Sequence, residues 1–314
     1  MSRTLRVGTR QSRLALAQTR WVIERLKERA PRLEVAVVPI RTTGDVDRTT
    51  PLAQMGGRGV FVTEVERALA AGEVDFAVHS YKDLPTSPAE GLTIAAVPGR
   101  EDVRDALVTR TGVGVDDLPA GARVGTGSPR RQAQLAAYRP DLTFEAIRGN
   151  VETRRGRVGS GEFDATVLAL AGLRRAGLLE GAVPIPLSVL LPAPGQGALA
   201  LQCRADDPEV AALLRLVDDA AAHAGADAER SLLALLRGGC HAPVGAYCRP
   251  SEEREGEWIL DACVADPEGR GQARVRVAGG SPAELAHQAY AALKDHEVVR
   301  TLLGGHGQDD SGER

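Results

Sequence analysis

The stretch Val74-Asp75-Phe76-Ala77-Val78-His79-Ser80-Tyr81-Lys82-Asp83-Leu84-Pro85 sets the reading of the whole chain. Its first half is a run of β-formers that predicts a short buried strand. His79, Ser80, Lys82 and Asp83 then crowd together before Pro85 stops any helix. In open α/β sheets, ligands sit at the carboxyl ends of strands, so a polar cluster there marks a candidate site. A carboxylate beside an ammonium can protonate, orient or stabilise a developing cation. A solvated turn with a surface salt bridge would carry the same residues, and the rest of the chain decides between the two.

Upstream, residues 5–9 predict a strand with Arg10-Gln11-Ser12 at its carboxyl end. A helix follows to about residue 30, with Ser12 as N-cap and Leu16, Val22, Ile23 and Leu26 on one face. Residues 35–40 supply a second strand and complete a βαβ unit, parallel and right-handed by default. The loop Thr42-Thr43-Gly44-Asp45 follows, and Met55-Gly56-Gly57-Arg58-Gly59 predicts a mobile or ligand-hugging segment. A helix over 62–71 then feeds the opening stretch.

Downstream, Val97-Pro98-Gly99 is a crossover into a second unit with strands over 106–109 and 123–125. In Thr126-Gly127-Ser128-Pro129-Arg130-Arg131, Ser128 reads as N-cap and Pro129 as the first helical residue. Arg130 and Arg131 therefore fall in the first turn, where the helix dipole disfavours each cation by about 0.3–1 kcal/mol. Paired arginines there point to a bound anion that offsets the repulsion. A strand over 143–148 ends in Arg148-Gly149-Asn150, and a helix carries Arg154, Arg155 and Arg157. Another strand, 164–170, leads to Ala171-Gly172-Leu173-Arg174-Arg175. From 104 to 175 there are twelve arginines and eight acids, a local +4 in a chain of net charge −3. Arg139 and Arg157 are expected to face only water.

Residues 183–197 hold four prolines and the turn Pro194-Gly195-Gln196-Gly197, a second crossover that returns the chain to the first unit through 198–203. Two α/β lobes joined by two crossings make a hinged cleft. From about residue 221 the pattern changes. A helix over 227–237 ends at Gly238-Gly239-Cys240-His241, and strands are expected over 244–248, 257–264 and 270–277, with a hairpin turn at 266–269. A last helix covers 282–293. The fold class is thus α/β, two doubly wound lobes joined by two crossovers, plus a small α+β C-terminal domain. The domains are 1–98 with 198–218, then 103–192, then 220–303, followed by a frayed tail over 304–314.

Composition narrows the function. Hydrophobic residues are 43% and charged residues 26%, ordinary for a globular protein. Only 3% is aromatic and the net charge is negative, which argues against a nucleic-acid partner. No stretch has signal-peptide or membrane-span character, so a cytoplasmic protein without a membrane partner is expected. Cys203, Cys248 and Cys263 sit in apolar strand patterns and read as inert core thiols. Cys240 instead follows two glycines past a helix end, where the backbone can present the sulfur to a cleft. It reads as a covalent attachment point, or else as an ordinary loop cysteine; a nucleophilic pair with adjacent His241 is disfavoured. No metal site is expected.

Taken together, the segments resemble the porphobilinogen deaminase family, also called hydroxymethylbilane synthases. The resemblance rests on Thr9-Arg10-Gln11-Ser12, Gly44-Asp45, Gly56-Gly57-Arg58-Gly59-Val60-Phe61, His79-Ser80-Tyr81-Lys82-Asp83, Ser128-Pro129-Arg130-Arg131-Gln132, Arg148-Gly149-Asn150-Val151, Pro194-Gly195-Gln196-Gly197 and Gly238-Gly239-Cys240, in the family's order. It implies periplasmic-binding-protein-like lobes and a transferase of porphyrin and heme biosynthesis. This enzyme condenses four porphobilinogen molecules, releasing ammonia, into the linear tetrapyrrole hydroxymethylbilane. The implied cofactor is dipyrromethane, joined by a thioether to Cys240. Asp83 matches the catalytic aspartate, which assists ammonia loss and stabilises the cationic azafulvene and pyrrole intermediates. Lys82, Arg10, Ser12, Ser128, Arg130, Arg131, Arg148, Arg154 and Arg175 match positions that hold acetate and propionate groups of cofactor or substrate. Phe61 matches an aromatic near the cofactor, and Arg58 lies in a mobile loop over the cleft. A monomer is implied, with the product passed to a uroporphyrinogen III synthase.

The residues fit that chemistry. Each added pyrrole brings two carboxylates, which guanidiniums bind bidentately. A lone acid is expected among them, because a second anion would compete for the arginines. Gln54 and Arg58 stand where many members have lysines, Pro129 where leucine is usual, and Arg13 where proline is frequent. A two-lobed solute-binding module would explain the arginines but neither Cys240 nor the third domain. A phosphate-handling enzyme would need a GxxxxGK[ST] or dinucleotide fingerprint, and the chain has neither.

Overall fold

The computed structural model describes residues 4–42, 62–87, 89–238, 242–266 and 271–305 of the 314. β1 (Leu5–Arg10) runs into α1 (Arg13–Arg29), whose start is set by Ser12: extended in backbone, it accepts from Ala15 N at 3.2 Å. Val22 and Leu26 of α1 are fully buried against the sheet. β2 (Val35–Ile40) pairs in parallel with β1, the expected βαβ unit. α2 (Thr63–Ala70) buries Val65, Ala68 and Leu69 and leads to β3 (Phe76–Ser80), which lies parallel to β1 on its other side. β4 (Leu92–Ala96) ends the first lobe's outward run.

The second lobe repeats the plan. β5 (Asp105–Thr109), β6 (Arg123–Gly125), β7 (Thr143–Glu145), β8 (Ala165–Ala169) and β9 (Ala182–Pro184) form one sheet. α3 (Pro129–Tyr138), α4 (Val151–Gly159) and α5 (Leu170–Ala176) connect them. β10 (Leu199–Arg204) then re-enters the first sheet antiparallel to both β3 and β4. The two orders, β2-β1-β3-β10-β4 and β7-β6-β8-β5-β9, have the same pattern: three parallel strands, then one running the other way. Each reversed strand follows a crossover, so the crossovers stitch both sheets together. Central strands buried on both faces explain near-continuous apolar runs such as Phe76-Ala77-Val78.

α6 (Pro208–Arg215) packs against β4 and β10, and α7 (Ala220–Leu235) opens the last unit. β11 (Val244–Pro250), β12 (Trp258–Ala265) and β13 (Gln272–Gly279) form an antiparallel sheet. Leu260, Ala262 and Val264 of β12 pack on Leu232 of α7 and Leu285 of α8 (Pro282–Leu293). α9 (Glu297–Gly305) closes the described chain.

Several expectations need correction. β7 stops at Glu145, so Arg148 lies in the loop beyond it rather than at a strand end. α7 starts at Ala220 rather than near 227, because alanine-rich 220–226 is strongly helix-forming and Asp219 caps it, accepting from Ala221 N and Ala222 N. α9 adds a helix at the end of the third expected domain, where none was predicted, and its last two residues fall in the expected frayed tail. Arg139 does not face only water: its guanidinium donates to Asp141 and to the carbonyls of Val115, Asp116 and Leu118, tying the end of α3 to a neighbouring loop. Arg157 is paired with Glu162 at 3.4 Å. Most of the expected 266–269 turn lies outside the described residues.

Candidate active site

The parallel strands of both sheets deliver the sequence-predicted residues at their carboxyl ends, where open α/β sheets bind ligands. Arg10 ends β1 and Ser12 caps α1; Lys82 and Asp83 follow β3; Ser128, Arg130 and Arg131 follow β6; Arg148 follows β7; and Arg175 lies on α5 after β8.

Lys82 and Asp83 sit in a 3-10 turn over Tyr81–Asp83 that begins directly at the end of β3. α7 grips this turn from outside. Arg230 donates to the carbonyls of Tyr81, Leu84 and Pro85, and its guanidinium lies 4.4 Å from the Tyr81 ring centroid. The Tyr81 hydroxyl donates to Asp227. The turn is therefore fixed, not a solvated surface loop. His79, just before it, is buried in the sheet, and its pKa falls to about 4, chiefly through burial. It is neutral, and it is not a proton donor to this site.

In the second lobe, α3 presents Arg130 and Arg131 in its first turn as predicted, with Ser128 capping through its hydroxyl and Pro129 opening the helix. Both arginines are buried, and a carboxylate of the chain already meets them. Arg130 Nη1 donates to Asp105 Oδ2 at 2.8 Å and to the Leu191 carbonyl; Arg131 donates to Asp105 Oδ1 through Nε at 3.1 Å and Nη2 at 2.7 Å, and to the Val167 carbonyl. The expected lone acid is thus wrong: Asp105 is a second carboxylate, fully buried at the start of β5. Burial alone would raise its pKa, but Arg130 and Arg131 hold it well below the usual carboxylate range. Two guanidiniums out of water need a permanent counterion, whatever else binds. The signal in the sequence was a charged residue opening an otherwise apolar strand, Asp105-Ala106-Leu107-Val108.

The cations nonetheless outnumber the acids. Lys82 is pushed down to about 8 by burial and by Arg131, with Asp83 and Asp105 pulling the other way and Arg130 adding to the push. Arg154 is lowered to about 10 by burial, then by Arg131 and Arg148. Its Nε donates to the Gly149 carbonyl, in a turn where Gly149 has φ +105° and a Cβ would come within 2.7 Å of Thr153. Lys82, Asp83, Arg130, Arg131, Arg148 and Arg154 thus share one electrostatic neighbourhood. Arg175 stands apart, between the Gly197 carbonyl at 2.9 Å and the Trp21 ring, with its pKa lowered to about 10 by burial. The hydroxyls of Ser12 and Ser128 accept from helix N–H groups and keep a proton to donate. Arg58, Phe61 and Cys240 lie outside the described residues.

Sequence reasoning also missed Gln196. Fully buried in the second crossover, it accepts from Lys82 Nζ at 3.1 Å through Oε1 and donates through Nε2 to Asp105 at 3.0 Å. The other three cysteines are buried and free, and burial pushes Cys248 up to about 12 and Cys263 to about 11, which makes them inert as expected. Among the described residues, no cluster of His, Cys, Asp and Glu could hold a metal ion, and no helix is long and apolar enough to cross a membrane.

Known proteins resemble this chain over most of its length. The family model "Porphobilinogen deaminase, dipyromethane cofactor binding domain" matches residues 5–212, and "Porphobilinogen deaminase, C-terminal domain" matches 224–295. The chain belongs to the porphobilinogen deaminase family. It is 48% identical over 309 residues to the porphobilinogen deaminase of Desulforudis audaxviator, covering 98% of this chain and 97% of that one. To porphobilinogen deaminase 1 of Streptomyces coelicolor it is 47% identical over 310 residues, covering 96% of each. Among solved structures, the Bordetella pertussis BvgS VFT2 domain aligns at TM-score 0.40 and 16% identity, covering 68% of this chain and 86% of that one.

The family's first domain is named for a dipyrromethane, and the residues present suit such a group. Its acidic side chains match a cluster in which Lys82 and Arg154 carry charges that burial and like neighbours leave under-compensated.

Proposed function

We propose that the chain condenses four porphobilinogen molecules, with release of ammonia, into hydroxymethylbilane, building on a dipyrromethane held through Cys240. The observation that carries this reading is the cluster of Lys82, Arg131, Arg148 and Arg154, in which burial and like-charged neighbours depress the basicity of Lys82 and Arg154, beside the fixed turn that bears Asp83. Such a cluster gains most from polycarboxylate ligands, and a growing pyrrole chain is one. When bound, the dipyrromethane supplies the pyrrole carbon to which the next ring is joined.

The chain's own residues then bind and orient. Lys82, Arg131, Arg148 and Arg154 take acetate and propionate groups, while Arg130, shared between Asp105 and the Leu191 carbonyl, anchors α3 beneath them. Ser128 donates its remaining hydroxyl proton to the same groups. Arg10, Ser12 and Arg175 serve the incoming substrate, Phe61 flanks the rings and Arg58 covers them. Asp83 accepts from pyrrole N–H groups and faces the positive charge that develops as the amine leaves, a role worth about 10²–10⁴ in rate for a positioned acid or base. The turn at Tyr81–Asp83 holds that carboxylate in place.

The reading includes three domains: 1–98 with 198–218, 103–192, and 220–303. It is supported by the strands of each sheet falling within one of them. It also includes a cytoplasmic monomer that passes its product to a uroporphyrinogen III synthase. Buried free thiols at Cys203, Cys248 and Cys263 suit a reducing compartment.

Intact-protein mass spectrometry tests the core of it. The purified protein carries the added mass of a dipyrromethane and turns an Ehrlich-type pyrrole reagent coloured, and Cys240→Ser does neither. A wild-type protein of unmodified mass that makes no hydroxymethylbilane would sink the proposal.

A further inference from the structure

Gln196 lies where both lobes and both crossovers meet. Its backbone N donates to the Ala193 carbonyl, and its own carbonyl accepts from Arg100 Nε at 2.9 Å. Its side chain has a single consistent orientation. Nε2 faces two groups that can only accept, the Val103 carbonyl at 2.8 Å and the ionised Asp105 Oδ1 at 3.0 Å. Oε1 is therefore turned to the Lys82 ammonium, a pure donor, at 3.1 Å. The flipped amide would set oxygen against two oxygens and N–H against N–H. Each end of this buried amide is thereby committed, and the amide dipole lies along the line from the Asp105 carboxylate to the Lys82 ammonium.

We propose that Gln196 is a positioning residue which keeps the Lys82 side chain charged and aimed into the cleft, by relaying the negative charge of the buried Asp105 to the Lys82 ammonium. The need for such a device follows from the surroundings. Arg131 and Arg130 push Lys82 towards its neutral form, as does burial, while Asp83 and Asp105 are the acids that oppose them. Asp105 is already engaged by both arginines, so beyond its through-space attraction its hydrogen-bonded route to Lys82 runs through the intervening amide. A hydrogen bond to the charged form favours that form, and it also removes rotamer freedom from a long side chain. The inference rests on the family reading for the purpose of the Lys82 charge, which is to meet ligand carboxylates.

The test reads Lys82 directly. Lysine occurs only at 27, 82 and 294, so holoenzyme grown with heavy carbon at lysine Cε gives three resonances, and Lys82→Arg assigns the one wanted. In Gln196→Met, which keeps the volume and loses both polar ends, the titration midpoint of Lys82 falls by about one pH unit. In Gln196→Glu, whose protonated acid can still accept from Lys82 and donate to Asp105, the midpoint stays at or above the wild-type value. Unchanged midpoints in Gln196→Met, or an equal fall in Gln196→Glu, would overturn the proposal; if the methionine variant does not fold, the glutamate variant decides alone. Steady-state kinetics give a second readout, because loss of an aimed charge raises KM for porphobilinogen more than it lowers kcat. Wild-type protein lacking cofactor mass or activity would defeat the family reading, while leaving the titration result to stand or fall by itself.

Discussion

Arg100 and Glu229 face each other as a bidentate pair, Nη1 to Oε1 and Nη2 to Oε2, both at 2.7 Å. Arg100 belongs to the first crossover and Glu229 to α7. The same carboxylate accepts from Gly195 N in the second crossover at 2.7 Å and from Cys248 N in β11 at 2.8 Å. Gly195 can approach this closely because its φ is +76° and it has no Cβ to meet the backbone of Tyr81 and Lys82. One acid thus joins both hinges of the lobes to the third unit.

Glu229→Gln should therefore unfold the protein more easily than any surface change. It strands the Arg100 guanidinium, whose side chain is only 10% exposed. Breaking one side of a buried pair costs about 3–5 kcal/mol. Urea denaturation should show a lower midpoint at unchanged slope. The double change Arg100→Met with Glu229→Leu should recover only part of the loss, because Gly195 N and Cys248 N then lose their acceptor. Full recovery would mean that the pair, and not the junction, is what matters.

Asp83→Asn should leave stability almost untouched and stop chain elongation. The turn's geometry is held by Arg230, Tyr81 and Asp227, none of which needs the Asp83 charge. Activity should fall by at least about a hundredfold, the lower range for removing a positioned acid or base. The melting temperature should stay within about a degree or two of wild type, as for most changes that open no core cavity. Normal turnover by this variant would remove Asp83 from the mechanism.

Much of the architecture was legible because it is local. Ser128-Pro129 announces a helix start, and the strand at 76–80 announces a sheet, whatever surrounds them. The paired arginines at 130 and 131 were readable as a site needing an anion, but their partner was not. Asp105 lies 25 positions before Arg130, and it is the β6-β8-β5 strand order that brings it under α3. Gln196 was hidden for the same reason: its contacts with Lys82 and Asp105 are 114 and 91 positions away in sequence. Arg139 was misread because, besides nearby Asp141, its acceptors are loop carbonyls, which leave no trace in side-chain pattern. Local motifs survive reading along the chain; long-range counterions do not.

Asp105→Asn should destabilise the protein in a pH-dependent way. The carboxylate is held below its usual range in the folded state, by Arg130 and Arg131 against the opposing effect of burial. A depressed acid contributes its full stability above the unfolded pKa of about 3.9 and loses it as pH falls towards the folded value. The gap between wild type and Asp105→Asn should thus be wide at pH 7, at about 3–5 kcal/mol for a stranded buried pair. It should narrow progressively below about pH 4. A gap independent of pH would show that packing, not charge, accounts for the loss.

Lys82 has the opposite sign and gives the clearest pH window. Its pKa falls from 10.5 to about 8 on folding, first through burial, then through Arg131. Below pH 8 the ammonium is charged in both states and the fold bears the cost of burying it. Between about 8 and 10.5 the folded protein releases the proton while the unfolded chain keeps it, so this group's contribution to stability becomes more favourable as pH rises. Ligand binding runs the other way, because the neutral amine no longer attracts a carboxylate. Apparent KM for porphobilinogen should therefore climb as pH passes 8, by about tenfold once the charge is gone, while kcat changes less. Lys82→Arg holds its charge throughout, so its KM should be higher at pH 7 through poorer fit and flat from pH 7 to 9.5, within about twofold. Identical pH profiles for wild type and Lys82→Arg would assign the titration to another group and detach Lys82 from carboxylate binding.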